Sequence, residues 1–149
     1  MKIAVACDHG GLNLKKQIIN YLNLKGYEAV DFGTDSYDSC DYPDKALPAA
    51  EAVASGECER GIVICTTGIG VCIVANKVPG VRCAYCHNTF CAQLTRAHND
   101  SNMLALGEKV VSVDCALEIV DAFLKTGFEG GRHARRVDKI TAIEKKYSK

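Results

Sequence analysis

Two glycine-rich segments concentrate the reactive side chains of this sequence. Cys65-Thr66-Thr67-Gly68-Ile69-Gly70 sets a thiol and two hydroxyls beside two glycines, and Cys7-Asp8-His9-Gly10-Gly11 sets a thiol, a carboxylate and an imidazole beside two more. Each follows an apolar, β-rich run and opens a helical stretch. Glycine lets a ligand approach the backbone, and the amides at a helix start bind an anion or a developing oxyanion. A thiolate at Cys65 would lie at the positive end of such a helix, which suits a base or nucleophile. The competing reading is a buried thiol in a tight turn. A dinucleotide fingerprint fails because the segment lacks its third glycine. A cysteine-dependent phosphatase loop fails because Val71, not Arg, stands six residues after Cys65.

Three further clusters carry chemistry. His98-Asn99-Asp100 joins an imidazole, an amide and a carboxylate; the competing reading is a helix N-cap or turn around Asn99 and Asp100. Gly130-Gly131-Arg132-His133-Ala134-Arg135-Arg136 is the one dense basic cluster. Arg132 and Arg136 are four apart on one helix face, where two guanidinium forks can clamp a phosphate or simply meet solvent. Lys109 is an isolated cation near by in sequence to the last apolar run. Cys83-Ala84-Tyr85-Cys86-His87 matches a haem-attachment spacing. Covalent haem attachment needs export, and zinc would need a second half-site, so these residues are read as strand, with no metal and no cofactor expected.

Five β-rich runs must position these groups: Lys2–Cys7, Glu28–Phe32, Arg60–Cys65, Val81–Cys86 and Met103–Leu106, of which the first, third and fifth are nearly all apolar. Near-continuous apolar character marks strands covered on both faces. Amphipathic stretches alternate with them: Leu12 to Leu22, Ala46 to Ala54, Cys115 to Lys125 and a charged segment from about Arg132. The expected fold is α/β, a three-layer α/β/α sandwich with a five-stranded parallel sheet and a C-terminal helix, forming one domain over residues 1–149. With strand order beginning 2-1-3, the ligand crevice falls at the carboxyl ends of strands 1 and 3, where both glycine-rich segments start.

Composition narrows the function. The 149 residues carry 18 Lys+Arg against 18 Asp+Glu, so no nucleic-acid partner is expected. No apolar stretch reaches the length of a membrane span, and the run before Asp8 is too short for a secretory signal, so a cytoplasmic location is expected. The nine cysteines are then expected to be reduced.

Together, CDHGG at Cys7–Gly11, DYPD at Asp41–Asp44, CTTGIG at Cys65–Gly70, ANKVPGVR at Ala75–Arg82, HNDSNMLALG at His98–Gly107 and FEGGRHARRV at Phe128–Val137 resemble the type B ribose-5-phosphate isomerase family, which includes galactose-6-phosphate and allose-6-phosphate isomerases. The resemblance implies a metal-independent aldose–ketose isomerase working through a cis-enediolate on a small sugar phosphate. It implies a homodimer with sites shared between subunits, with pairing into tetramers left open. It assigns Cys65 as the base, assisted by Thr67, and His98 to ring opening. Tyr42 shapes the site, and Asp8 and His9 contact sugar and phosphate. The backbone of Thr66, Gly68, Ile69 and Gly70, with Asn99, holds the oxyanion. Arg132, Arg136 and Lys109 bind the phosphate.

Three positions depart from the family pattern. Thr66 stands where Gly is usual, and Lys109 where Arg is usual, which gives up bidentate geometry. Val71 stands where one branch carries a glutamate base, which favours the cysteine branch. The alternatives are a six-carbon sugar phosphate substrate and a non-catalytic sugar-phosphate sensor.

Overall fold

The computed structural model describes residues 1–148. Strands β1 (Lys2–Cys7), β2 (Glu28–Asp31), β3 (Arg60–Cys65), β4 (Cys83–Tyr85) and β5 (Met103–Gly107) form one parallel sheet in the order β2-β1-β3-β5-β4. Six helices connect or follow them: α1 (Leu12–Leu24), α2 (Tyr42–Ala54), α3 (Ile69–Ala75), α4 (Thr89–Asn99), α5 (Val113–Lys125) and α6 (Arg132–Tyr147). The expected α/β sandwich and the 2-1-3 start are both present.

Handedness explains which helix lies on which face. Right-handed crossovers put helices on opposite faces when the chain moves across the sheet in opposite directions. The β1-to-β2 and β4-to-β5 connections run one way; β2-to-β3 and β3-to-β4 run the other. Ile3, Val5 and Cys7 of β1 accordingly pack with α1, α4 and α5, around fully buried Phe123. Ala4 and Ala6 face the other way, onto α2 and α3. There the contacts are small: Ala46, Ala49 and Ala50 of α2 are essentially inaccessible, so helix and sheet approach closely. No helix of the described residues is long and apolar enough to cross a membrane.

Several boundaries differ from the sequence expectations. The second strand stops at Asp31, whose carboxylate accepts a hydrogen bond from Gly33 N–H and turns the chain. The fourth is only Cys83–Tyr85, because Asn76 captures Cys83 N–H and Asn102 captures Arg82 N–H. Helix α2 starts at Tyr42, not Ala46, since Pro43 suits the first turn, where its missing N–H costs nothing. The N-cap reading of Asn99 and Asp100 is overturned. His98 and Asn99 close α4, and Asp100 is its C-cap at φ 47°, held by Arg96 at 2.8 Å.

Candidate active site

The carboxyl ends of β1 and β3 build a compact cup. Asp8 is buried, and its carboxylate accepts a 2.9 Å hydrogen bond from Gly10 N–H, capping a 3-10 turn over His9–Gly11. Asp8 N–H donates to the Ile64 carbonyl at 3.3 Å, which ties the two strand tips together. The Thr66 hydroxyl lies directly over Gly10, so no side chain fits there. The two glycine-rich segments are therefore one structure.

Cys65 is the last residue of β3 and 6% exposed. Its Sγ accepts a 3.1 Å hydrogen bond from Gly68 N–H, which fixes the sulfur against the start of α3. Gly68 adopts φ 85° against the Tyr85 ring and the backbone of Leu106, a conformation and a fit only glycine satisfies. Thr67 Oγ1 accepts from Ile69 N–H at 3.2 Å. The loop is fixed from the β5 side too: Glu108 N–H donates to Cys65 O at 2.9 Å, and Lys109 N–H to Thr66 O at 3.1 Å. Gly70, in the first turn of α3, lies under the ring of Tyr42, leaving no room for a side chain there. His9 Nδ1 accepts from Cys40 N–H at 3.2 Å, so a neutral His9 carries its proton on Nε2.

One chain thus brings together Asp8, His9, Tyr42, Cys65, Thr66, Thr67, Gly68, Ile69, Gly70 and the backbone of Lys109. It does not bring His98, Asn99, Arg132 or Arg136 to them. Helix α4 runs back from the carboxyl end of β4, so its last turn lies at the amino ends of the strands. Arg82, just before β4, donates from Nε to Asn99 O at 2.9 Å. Cys65 pairs with Gly107 while Met103 pairs with Gly61. The two ends are thus four strand steps, about 13 Å of backbone, apart.

The second group is itself ordered. Glu129 N–H donates to Ala97 O at 3.0 Å and docks the loop before α6 on the end of α4. The His98 and His133 rings stack at 4.1 Å with planes 7° apart. Glu129 Oε1 lies 3.8 Å from His98 Nε2 and 3.4 Å from His133 Nε2. Desolvation, with His98 and Arg132 close by, lowers the His133 pKa below the ordinary histidine value. Arg132 and Arg136 are exposed beside this cluster.

Sequence reasoning missed Glu129, His133 and Lys15. The first two are spaced four apart, a usable signal, but Gly130 and Gly131 at φ 70° and 57° interrupt any helical reading. Lys15 is an apparently ordinary helix lysine. It is 1% exposed, with Nζ donating to Asp31, Asp35 and the Thr34 carbonyl at 2.8, 2.9 and 2.6 Å.

A doubly wound sheet with a thiol, hydroxyls and helix-start amides at its topological switch point defines an α/β protein built to act on a small anionic ligand. Its relatives agree. The Ribose/Galactose Isomerase family profile matches residues 3–140, and the chain belongs to that family. It is 50% identical over 145 residues to ribose-5-phosphate isomerase B of Escherichia coli, covering 97% of each chain. A ribose-5-phosphate isomerase B structure from Clostridium thermocellum superposes with TM-score 0.98 at 61% identity, over 99% of this chain and 100% of that one. The Mycoplasma genitalium ribose-5-phosphate isomerase B structure, with bound ribulose-5-phosphate, superposes with TM-score 0.93 at 45% identity, over 97% and 96%.

Proposed function

We propose that this chain interconverts ribose 5-phosphate and ribulose 5-phosphate, as one isomerase domain over residues 1–149, working as a homodimer. The observation that carries the chemistry is Cys65 Sγ at the crevice floor, 3.1 Å from Gly68 N–H and enclosed by two tied strand tips. The likeness to named ribose-5-phosphate isomerases over nearly the whole chain supports the substrate.

The reaction moves hydrogen within one molecule. His98 gives a proton to the ring oxygen of the furanose and takes up the proton of the anomeric hydroxyl as the carbon 1–ring oxygen bond breaks, giving the open aldehyde. The Cys65 thiolate takes the proton from carbon 2, and the electron pair forms the carbon 1–carbon 2 double bond of a cis-enediolate. The charge arriving on oxygen 1 is held by backbone amides of the Thr66–Gly70 segment and by Asn99. The thiol returns its proton to carbon 1 and is again a thiolate, while the hydroxyl at carbon 2 passes its proton to oxygen 1, leaving a carbonyl at carbon 2 and a hydroxyl at carbon 1, which is the ketose. Thr67 assists Cys65. Asp8 and Tyr42 position the sugar, and His9, Lys109, Arg132 and Arg136 hold the phosphate.

This assignment needs two chains. His98, Asn99, Arg132 and Arg136 lie at the opposite end of the sheet from Cys65 in one chain, which supports a site completed by a second copy in a two-fold dimer.

The test incubates the protein with ribose 5-phosphate and a chelator, following ribulose 5-phosphate, with Cys65→Ala and allose 6-phosphate in parallel. Pentose turnover that falls roughly a thousandfold or more in Cys65→Ala is expected. Turnover of the hexose alone would move the substrate. Tight binding without turnover of either would leave a sensor.

A further inference from the structure

We propose that His98, Glu129 and His133 form a binding site for a divalent transition-metal ion of the zinc type, whose occupation withdraws His98 from the sugar. Two imidazoles and a carboxylate are a complete three-protein-ligand set for zinc, leaving a position for water or substrate. One ligand atom from each residue lies within 4.8 Å of the others. Zinc–nitrogen bonds of about 2.0–2.1 Å set neighbouring tetrahedral ligands about 3.3 Å apart. Glu129 Oε1 is already 3.4 Å from His133 Nε2 and 3.8 Å from His98 Nε2.

The ligands come from two elements locked together independently of any ion. His133 is buried in the first turn of α6, with its N–H donating to Gly130 O at 3.0 Å. His98 sits in the last turn of α4, and Glu129 is tied to that turn through Ala97 O. The rings are stacked and nearly parallel, so their in-plane lone pairs run side by side. Binding therefore requires each ring to turn about its Cβ–Cγ bond and to carry its proton on Nδ1. Arg132 and Arg136 beside the cluster oppose a cation and hold the affinity down. Imidazole ligands select zinc, copper, nickel or cobalt over magnesium and calcium.

The direct test titrates the reduced full-length protein with Co²⁺, read by absorption, in wild type, Glu129→Gln and His133→Asn. One ion per chain is expected, with d–d bands of nitrogen and oxygen ligation. Either variant should bind roughly tenfold or more weakly. Glu129 is 58% exposed, so its amide variant tests the site even if His133→Asn does not fold. Thiolate charge-transfer bands, or undiminished affinity in Glu129→Gln, would overturn the assignment by placing the ion on cysteines or elsewhere.

The consequence for activity rests on the isomerase function; the titration does not, so the two fail separately. Zn²⁺ should slow ribose 5-phosphate conversion by the wild type, reversibly with a chelator, and Glu129→Gln should resist. Equal inhibition of both would overturn the link to His98.

Discussion

At the scale of single residues, this protein contains nine free thiols in very different surroundings. Burial pushes Cys7 and Cys86 up to about 12, so both stay protonated through the physiological range. Cys72 moves the other way, down to about 7, because the Cys83 thiol and the Asn76 amide hydrogen-bond to it and outweigh its burial. The lowered value makes Cys72 the more readily ionised of these thiols at mildly alkaline pH. Mass-spectrometric mapping after brief iodoacetamide treatment at pH 8 should find label on Cys72 and on exposed Cys91, with Cys7 and Cys86 unmodified. Labelling of Cys7 ahead of Cys72 would contradict the assigned environments. The arginines act at this scale too. Arg136→Ala removes a charged fork from the proposed phosphate clamp and should raise KM for ribose 5-phosphate roughly tenfold or more, leaving kcat for an unphosphorylated aldose little changed. An equal loss on both sugars would argue against the clamp.

At the scale of elements, the loop after β3 is held from three sides. Gly10 beneath Thr66, Gly107 against the Thr67 backbone and Gly70 beneath Tyr42 all lack space for a Cβ, so β1, β5 and α2 each touch the segment after β3. Lys15 performs a comparable task for the segment after β2, fixing Asp31, Thr34 and Asp35 on α1; the same connection carries Cys40, whose N–H donates to His9. Burial pushes the Lys15 pKa down, but the hydrogen bonds it donates to Asp31 and Asp35 outweigh this and hold it above the ordinary lysine value. A raised folded value means stabilisation that is complete below the unfolded lysine pKa, near 10.4, and lost as pH climbs through the folded one. Asp35 is shifted down by the same contact, so its share is lost as pH falls below the carboxylate range. Lys15→Met leaves the Thr34 carbonyl with only the weak Cys7 thiol donor at 3.7 Å and should lower unfolding free energy by about 2 kcal/mol in urea denaturation at pH 7. An unchanged midpoint would show the bridge to be energetically neutral.

At the scale of the whole molecule, the proposed site residues fall into two groups on opposite ends of the sheet of one chain. Complementation tests whether they belong together. Cys65→Ala and His98→Ala homodimers should each be inactive in the aldose direction. A mixed dimer would rebuild one intact site from the Cys65 of one subunit and the His98 of the other. Co-refolding equal amounts should therefore restore about a quarter of wild-type activity, since half the dimers are mixed and each holds one good site of two. No recovery, with mixed dimers demonstrated by mass spectrometry, would place each site within one chain.

Much of this was legible in the residue order. Apolar runs buried on both faces read directly as strands, and Lys2–Cys7 and Arg60–Cys65 end where expected because Asp8 and Thr66 begin polar loops there. The grouping of Asp8 and His9 with Cys65 followed from a 2-1-3 sheet start, since parallel strands present their carboxyl ends on one side. What local chemistry does not encode is the return of the chain from β4 to β5. That single reversal inserts β5 between β3 and β4 and sends α4 to the opposite face. Running antiparallel to the strands, α4 brings His98 to the far end of the sheet, where the loop bearing Glu129 and the first turn of α6 with His133 dock on it. The division of the predicted residues into two groups follows from a helix between parallel strands returning to their amino ends, but crossover direction is decided by how sheet and helices pack as a whole, so only the tertiary structure could place α4 on its face and stack the two histidines.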